Sequence, residues 1–121
     1  MPAEARIVLE EETGVAVVRF LDSQLMDDRA VREAAEQAAA ALPSNAPILV
    51  ILDFSGLSMI SSAMIGRLVL LQRRVAASGG RMRLCELSPA VRDTLKTTNL
   101  DRILIAASSR HEARDAFADI L

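Results

Sequence analysis

The stretch PILVILDFSGLSMISSAMIG, residues 47–66, joins a run of aliphatic residues to a serine-rich segment and then to an apolar one. Residues 48–52 are all aliphatic, as expected for a central parallel strand that is covered on both faces. The apolar segment that follows predicts a helix from Ser61 or Ser62 to Ala77. The stretch therefore predicts a buried strand that leads directly into a helix.

The residues before this strand predict a hairpin and a first helix. Residues 7–11 and 15–20 are short β-branched runs separated by the turn sequence ETG, a pattern typical of a β-hairpin. The following segment, FLDSQLMDD, is polar enough for a loop, and Asp27 or Asp28 can cap a helix after it. Residues at helical spacing form the apolar face of that helix: Val31, Ala34, Ala35, Ala38 and Leu42.

The second half of the chain continues to alternate strands and helices. Gly79 and Gly80 end the central helix, and residues 81–85 alternate as in a half-exposed strand, with Met82 and Leu84 on one face. Ser88 followed by Pro89 is a strong helix-start signal. Three further features are predicted: a short strand at residues 103–106, a final helix at 111–121 capped by Ser108 or Ser109, and an apolar face on that helix made by Ala113, Phe117 and Ile120 or Leu121.

This order of elements, β-β-α-β-α-β-α-β-α, predicts an α/β fold in one domain, residues 1–121. We expect a mixed, mostly parallel sheet of about five strands with an N-terminal hairpin at one edge and residues 48–52 at the centre. About four helices should lie mainly on one face of the sheet. Arg81 and Arg83 should then remain accessible to solvent.

Composition excludes several classes of function. The formal net charge is −2 with no basic stripe, and the chain has three Phe, no Trp and no Tyr. Both features argue against a nucleic-acid partner, which needs basic groups and aromatic stacking platforms. No apolar run approaches the roughly 18 residues that cross a membrane, and the acidic N-terminus does not resemble a signal peptide. We therefore expect a cytoplasmic domain without a membrane association.

The sequence contains no recognisable catalytic or cofactor site. His111 is the single histidine and Cys85 the single cysteine, so neither a metal site nor a disulfide is indicated. His111 is expected on the surface, and Cys85 as a buried or half-buried strand residue. Neither Gly-rich phosphate-binding pattern is present. We predict a protein that is not an enzyme and that binds neither a metal ion nor a cofactor.

The serines that follow the central strand are better placed for a function in binding. Functional groups of open parallel sheets gather at the carboxyl ends of the strands, where Asp53 ends the central run and Ser61 and Ser62 open the helix. A helix N-terminus carries unpaired N–H groups and favours negative charge. A serine at this position can cap the helix, and it can also carry a phosphoryl group.

The chain resembles the STAS domain family of sulfate transporters and anti-sigma-factor antagonists. The segments that carry the resemblance are ILVILD (48–53), SSAMIG (61–66), SGGRMRL (78–84), LSPAVRDTL (87–95) and NLDRILI (99–105). They occur in the family's order and spacing over nearly the whole chain. Aligned on Gly66, Ser62 falls on the family's phosphorylated serine, with Ser61 as the alternative. Ser61 replaces the family's Asp, which removes a negative charge beside Ser62.

The resemblance implies an anti-sigma-factor antagonist that regulates transcription by partner switching. The unphosphorylated antagonist would bind an anti-sigma factor that is also a serine-protein kinase, phosphorylation would end the binding, and a protein serine phosphatase would reverse it. Partner contacts are expected around the helix start, at Asp22, Ser58, Met59, Ser61, Ser62, Met64 and Ile65. At least one of the two methionines should be exposed. The alternative is a scaffold or self-assembling STAS protein that is never phosphorylated; the residues do not fix an oligomeric state.

Overall fold

The computed structural model describes residues 4–120 and contains one five-stranded sheet, one two-stranded sheet and four α-helices within that range. The strands are β1 (Ile7–Glu12), β2 (Val15–Phe20), β3 (Gln24–Leu25), β4 (Leu49–Asp53), β5 (Met59–Ile60), β6 (Arg81–Cys85) and β7 (Ala106–Ala107). The helices are α1 (Asp28–Ala41), α2 (Ser62–Ala77), α3 (Pro89–Thr97) and α4 (Arg110–Asp115), with a short 3₁₀ turn at Leu100–Arg102.

The large sheet has the strand order β1-β2-β4-β6-β7. Strands β1 and β2 are an antiparallel hairpin at one edge, and all other neighbours in this sheet are parallel. Strand β4 lies at the centre, and each of its five residues is buried. The predicted α/β class, the edge hairpin and the central position of the aliphatic strand are therefore confirmed.

The alternation of side chains along β4 divides the core into two layers. Val50 and Leu52 point to one face, where they pack with buried residues of α1, α2 and α3. Leu49 and Ile51 point to the other face, where α4 and the residues just after it supply Ala113 and Phe117. Three of the four helices thus cover one face, as the sequence predicts, and the short fourth helix covers part of the other.

The two-stranded sheet was not predicted from the sequence. Within FLDSQLMDD, interpreted as a loop, Gln24 and Leu25 form β3 and pair in parallel with Met59 and Ile60 of β5. A strand of two residues is too short to show a period-two pattern, and its partner is about 35 positions further along the chain. The pair lies beyond the carboxyl ends of β2 and β4, next to the start of α2.

The last two predicted elements are displaced in the structure. The strand expected at 103–106 is reduced to Ala106–Ala107 because the N–H groups of Ile103 and Leu104 both donate to the carbonyl of Leu100, which continues the 3₁₀ turn. The final helix is also shorter than predicted and ends at Asp115. Residues 116–120 continue as tight turns that keep Phe117 buried; Leu121 lies outside the described residues.

The two arginines of β6 are only partly accessible, although both were predicted to face solvent. The guanidinium of Arg81 donates to both carboxylate oxygens of Asp119, at 2.7 and 2.8 Å, and to the carbonyl of Ala116. Arg83 is half-buried on the same face. The segment after α4 thus folds over this face of the sheet and holds Arg81 in place.

Two glycines give opposite expectations for stability. A Cβ at Gly80 would lie 1.8 Å from the carbonyl oxygen of Ile48, whereas a Cβ at Gly66 would meet nothing within 4 Å. We expect Gly80→Ala to lower the free energy of unfolding by about 1–3 kcal/mol, because backbone must move. Gly66→Ala should raise it by about 0.5–1 kcal/mol through helix propensity. Urea unfolding followed by circular dichroism checks both, and equal stabilities would contradict the close approach of Gly80 to the backbone of Ile48.

Candidate functional site

Ser61 is the N-cap of α2, and its side-chain oxygen serves that function. Its Oγ accepts a hydrogen bond from the N–H of Met64 at 3.1 Å, and its carbonyl accepts from Ile65 at 3.1 Å. Its own N–H donates to the carbonyl of Leu25 in β3 at 2.9 Å. Ser61 is therefore fixed by the helix on one side and by the small sheet on the other.

Ser62 is placed differently. It is the first residue of α2 and is exposed, and its hydroxyl makes no hydrogen bond within residues 4–120. The side chain lies at the positive end of the helix dipole, where the first N–H groups of a helix lack intrahelical partners. The two adjacent serines thus divide into one that caps the helix and one that is free to react or to contact another molecule.

Ser58 holds the segment before α2 against the loop that carries β3. Its N–H and its hydroxyl both donate to the carbonyl of Ser23, at 2.8 and 2.9 Å. Its own carbonyl accepts a hydrogen bond from the hydroxyl of Ser88, the N-cap of α3, at 2.8 Å. Ser58 thus links three segments of the carboxyl edge, and this predicted partner contact also has a clear structural role.

Three apolar side chains are exposed in β5 and in the segment that carries β3. Met59 has a relative exposure of 43%, Met26 of 45% and Leu21 of 46%. Extending the β3–β5 register by one residue places Met26 beside Ser61, and Met59 is already paired with Gln24. Met59 confirms the expectation that at least one of Met59 and Met64 is exposed. Sequence reasoning missed Leu21 and Met26 because the β3–β5 pairing that places Met26 next to the serines was not predicted.

Met64 and Ile65, expected among the partner contacts, lie in the core instead. Their relative exposures are 0% and 5%, and both belong to the apolar layer under α1, α2 and α3. The N-cap at Ser61 fixes the rotation of α2, so that these positions face the sheet while Ser62 and Ala63 face solvent. Met64 and Ile65 therefore support the helix start and do not form its outer surface.

Asp22 is tied into an ion-pair cluster next to the same surface. Its Oδ2 lies 2.7 Å from Nη1 of Arg6, and Nη2 of Arg6 lies 3.1 Å from Oε1 of Glu33 in α1. All three side chains are largely buried. Arg6 thus connects β1, α1 and the loop that begins at Leu21, and Asp22 fixes the position of this loop.

Asp53, at the end of β4, faces away from the serines. Its Oδ2 accepts from Arg110 of α4 at 2.6 and 3.2 Å, and its Oδ1 accepts from the N–H of Ser55 at 2.8 Å. Arg110 also contacts Glu10 and Glu12 of β1. Burial acts to raise the pKa of Asp53, but the hydrogen bonds from Ser55 and Arg110 outweigh it and hold this pKa below its ordinary value. Asp53 is thus a structural carboxylate that joins β4 to α4.

The remaining candidates for chemistry are inert or on the surface. Cys85 is fully buried, and burial, with the nearby Asp53 carboxylate, raises the pKa of its thiol to about 12. The side chain of His111 is 89% exposed. In the described part of the chain, no group of three His, Cys, Asp or Glu residues could hold a metal ion. No helix between residues 4 and 120 is both long and apolar enough to span a membrane.

Comparison with known families agrees with this architecture. The STAS domain matches residues 6–113, which is most of the 121 residues, and the chain belongs to the STAS domain family. No curated protein matches the chain in sequence.

Several solved structures resemble the chain over nearly its full length. A STAS domain protein from Planctomyces limnophilus, described as an anti-sigma-factor antagonist, superposes with a TM-score of 0.85 at 28% identity, covering 96% of this chain and 100% of that one. The anti-sigma factor antagonist SpoIIAA in its unphosphorylated form gives 0.71 at 26% identity, covering 95% and 98%. The Bacillus cell fate determinant SpoIIAA in its phosphorylated form gives 0.63 at 25% identity, covering 91% and 97%.

The Asp53–Arg110 pair predicts how stability depends on pH. The pKa of Asp53 is lowered on folding. The stability that its carboxylate contributes is therefore fully present above pH 3.8, its ordinary pKa, and is lost as the pH falls through the lower pKa of the folded state. We expect Asp53→Asn to lower the free energy of unfolding by about 1.5–3 kcal/mol at neutral pH, and less in acid.

Urea unfolding of both proteins between neutral pH and pH about 3 measures this difference. Asp101→Asn, a change at an exposed aspartate of the 3₁₀ turn, is the matched control and should stay within about 0.5 kcal/mol of the unmodified chain. A difference between Asp53→Asn and the unmodified chain that is constant across the acid range would refute the assignment to Asp53.

Proposed function

We propose that this protein is an anti-sigma-factor antagonist, a binding module that is switched by phosphorylation of Ser62. The observation that carries the proposal is the division between the two serines: Ser61 is occupied as the helix cap, while Ser62 is exposed with its hydroxyl free within the described residues. The chain is similar to SpoIIAA, which is described in an unphosphorylated and in a phosphorylated form, and this similarity supports the proposal of a phosphorylation switch.

A phosphoryl group on Ser62 is compatible with the fold. It would bring about −1.5 to −2 charges and three acceptor oxygens to the N-terminus of α2. The helix dipole favours negative charge at this end, and the first N–H groups of the helix are available as donors. Since Ser62 is exposed and makes no hydrogen bond that the phosphate would break, modification should leave the fold intact.

The same phosphoryl group would interfere with a partner that covers this surface. Leu21, Met26 and Met59 offer exposed apolar side chains, and methionine adapts easily to a partner's shape. A partner seated on them would exclude water around Ser62. A neutral hydroxyl is tolerated in such an interface, whereas an unpaired dianion costs several kcal/mol. Binding should therefore be strong in the unphosphorylated state and weak in the phosphorylated one.

The partner we propose is an anti-sigma factor that is also a serine-protein kinase, with a protein serine phosphatase restoring the unmodified serine. The chain itself would act in the cytoplasm by binding, without catalysis or a cofactor. Ser61, in place of the family's Asp, leaves no carboxylate beside Ser62 for the kinase to recognise. This substitution favours the second candidate function, a STAS scaffold that is never phosphorylated, and the following experiment separates the two.

Phosphorylation at Ser62 can be tested with the anti-sigma factor kinase that the proposal requires as a partner. Incubation with this kinase and ATP should place one phosphate on Ser62, located by mass spectrometry, and Ser62→Ala should abolish it. Affinity for the kinase should fall about a hundredfold on phosphorylation, corresponding to about 3 kcal/mol. Ser62→Asp should reproduce part of this loss.

Ser61→Ala is the matched control for Ser62→Ala. It should retain phosphorylation at Ser62 and cost about 1 kcal/mol of stability through loss of the cap. Phosphate on Ser61 alone would move the switch by one residue. If neither serine is modified while the kinase acts on another substrate, the scaffold function replaces the switch.

The exposed methionines give a separate test of the docking surface. We expect Met26→Ser and Met59→Ser each to weaken binding to the kinase about tenfold or more, because each removes apolar contact area from the interface. Ile103→Ser is the matched control: Ile103 has the same 43% exposure as Met59 but follows the 3₁₀ turn at Leu100–Arg102, before the edge strand β7. Calorimetric titration measures all three, and an equal loss in Ile103→Ser would argue against a localised docking surface.

A further inference from the structure

The outer face of α2 carries an exposed leucine surrounded by arginines. Leu70 is 58% exposed, the largest exposure among the large hydrophobic residues that are exposed in the described chain. Arg67, Arg73 and Arg74 are exposed around it, and none of them lies within ion-pair distance of a carboxylate in residues 4–120. Glu36 of α1 lines the same shallow depression as Arg67, Leu70 and Arg74, so three arginines lie near one carboxylate and this arginine face has a net positive local charge.

A second surface of the same molecule has the complementary properties. An open cavity of about 380 Å³ lies between the hairpin and the loop that joins α1 to β4, and its wall includes Leu9, Ala16, Ala41, Pro43 and Pro47. Leu9 is 51% exposed there, so the cavity has an apolar wall that the fold leaves uncovered.

The rim of this cavity is acidic. Glu10 and Glu11 both line it, and Glu10 is paired with Arg110. Glu11 is exposed, lies on the same face of β1 as Leu9, and has no cationic partner among the described residues. The free negative charge of the rim is therefore that of Glu11.

The cavity is large enough to take the side chain that Leu70 offers. A volume near 380 Å³ falls at the lower end of the range for small-molecule sites, about 300–1,000 Å³, and leaves room for an aliphatic side chain. Leu70 projects from a helix with arginines on both sides, and the cavity is apolar inside and acidic at its rim. Leu70 and Leu9 both remain exposed within one molecule, so neither surface covers the other and each is left for another molecule.

We propose that Leu70 of one copy of this chain seats in the cavity beside Leu9 of a second copy, with Arg67 and Arg73 facing Glu11. Because the contact joins two different surfaces, it forms either a growing chain of copies or, when both contacts close reciprocally, a dimer. Exposed ion pairs contribute little each, so the association is weak and is weakened further by salt. It does not depend on phosphorylation of Ser62.

Sedimentation velocity of the full chain, from low-micromolar to millimolar concentration, tests the proposal. The unmodified chain should self-associate, and more so at low salt. The double variant Arg67→Glu/Arg73→Glu, the variant Leu70→Ser and the variant Glu11→Arg should each lower the association constant at least about tenfold. The matched control, Arg92→Glu/Lys96→Glu, makes the same charge change at two exposed positions of α3 and should self-associate like the unmodified chain.

A mixture of two variants gives the decisive measurement. Glu11→Arg retains the arginine face and Arg67→Glu/Arg73→Glu retains the acidic cavity, so an equimolar mixture should associate although neither variant does alone. Circular dichroism of each variant confirms that the fold is kept. Three results would overturn the proposal: an unmodified chain that stays monomeric, a control that loses association equally, or a mixture that remains monomeric. The arginine face would then bind some other molecule.

Discussion

The burial of β4 on both faces is the constraint on which the other features depend. Because every residue from Leu49 to Asp53 is buried, helices must cover both sides of the sheet, and polar groups can emerge only where the strand ends. The first of these polar groups is the Asp53 carboxylate, which forms an ion pair with Arg110 of α4. The serines follow one loop later, on the side of the three-helix layer. The structural carboxylate of Asp53 and the exposed hydroxyl of Ser62 thus lie on different sides of the sheet although nine positions separate them in sequence.

The β3–β5 pair gives the serine site its precision. Backbone hydrogen bonds from Ser58 to Ser23 and from Ser61 to Leu25 lock the segment before α2 to the loop after β2. That loop is in turn anchored through Asp22 to Arg6. A partner that contacts Ser62 therefore meets a preformed surface, so little ordering entropy is lost on binding. A helix start on a free loop would lack this advantage.

Long, periodic elements could be predicted from the sequence, and short or tertiary ones could not. The aliphatic run of β4, the cap at Asp27 and the Ser88–Pro89 start are local signals, and the structure confirms them. The β3–β5 pair and the shortened strand β7 depend on partners distant in sequence, so no local pattern reveals them. At the site, adjacency in sequence suggested that Met64 and Ile65 would share the surface of Ser62. The rotation of α2, fixed by the Ser61 cap, turns both into the core instead.

The burial of Cys85 limits the chemistry that can modify this chain. Burial raises the pKa of this thiol to about 12, so the thiol is protonated at neutral pH, and the residue packs among β4, β7 and the residues after α4. Oxidants and alkylating agents act on exposed thiolates, so the single thiol of the chain is protected from both. Oxidation would therefore leave this thiol unaltered, and an oxidant would instead meet the exposed side chains of Met26 and Met59.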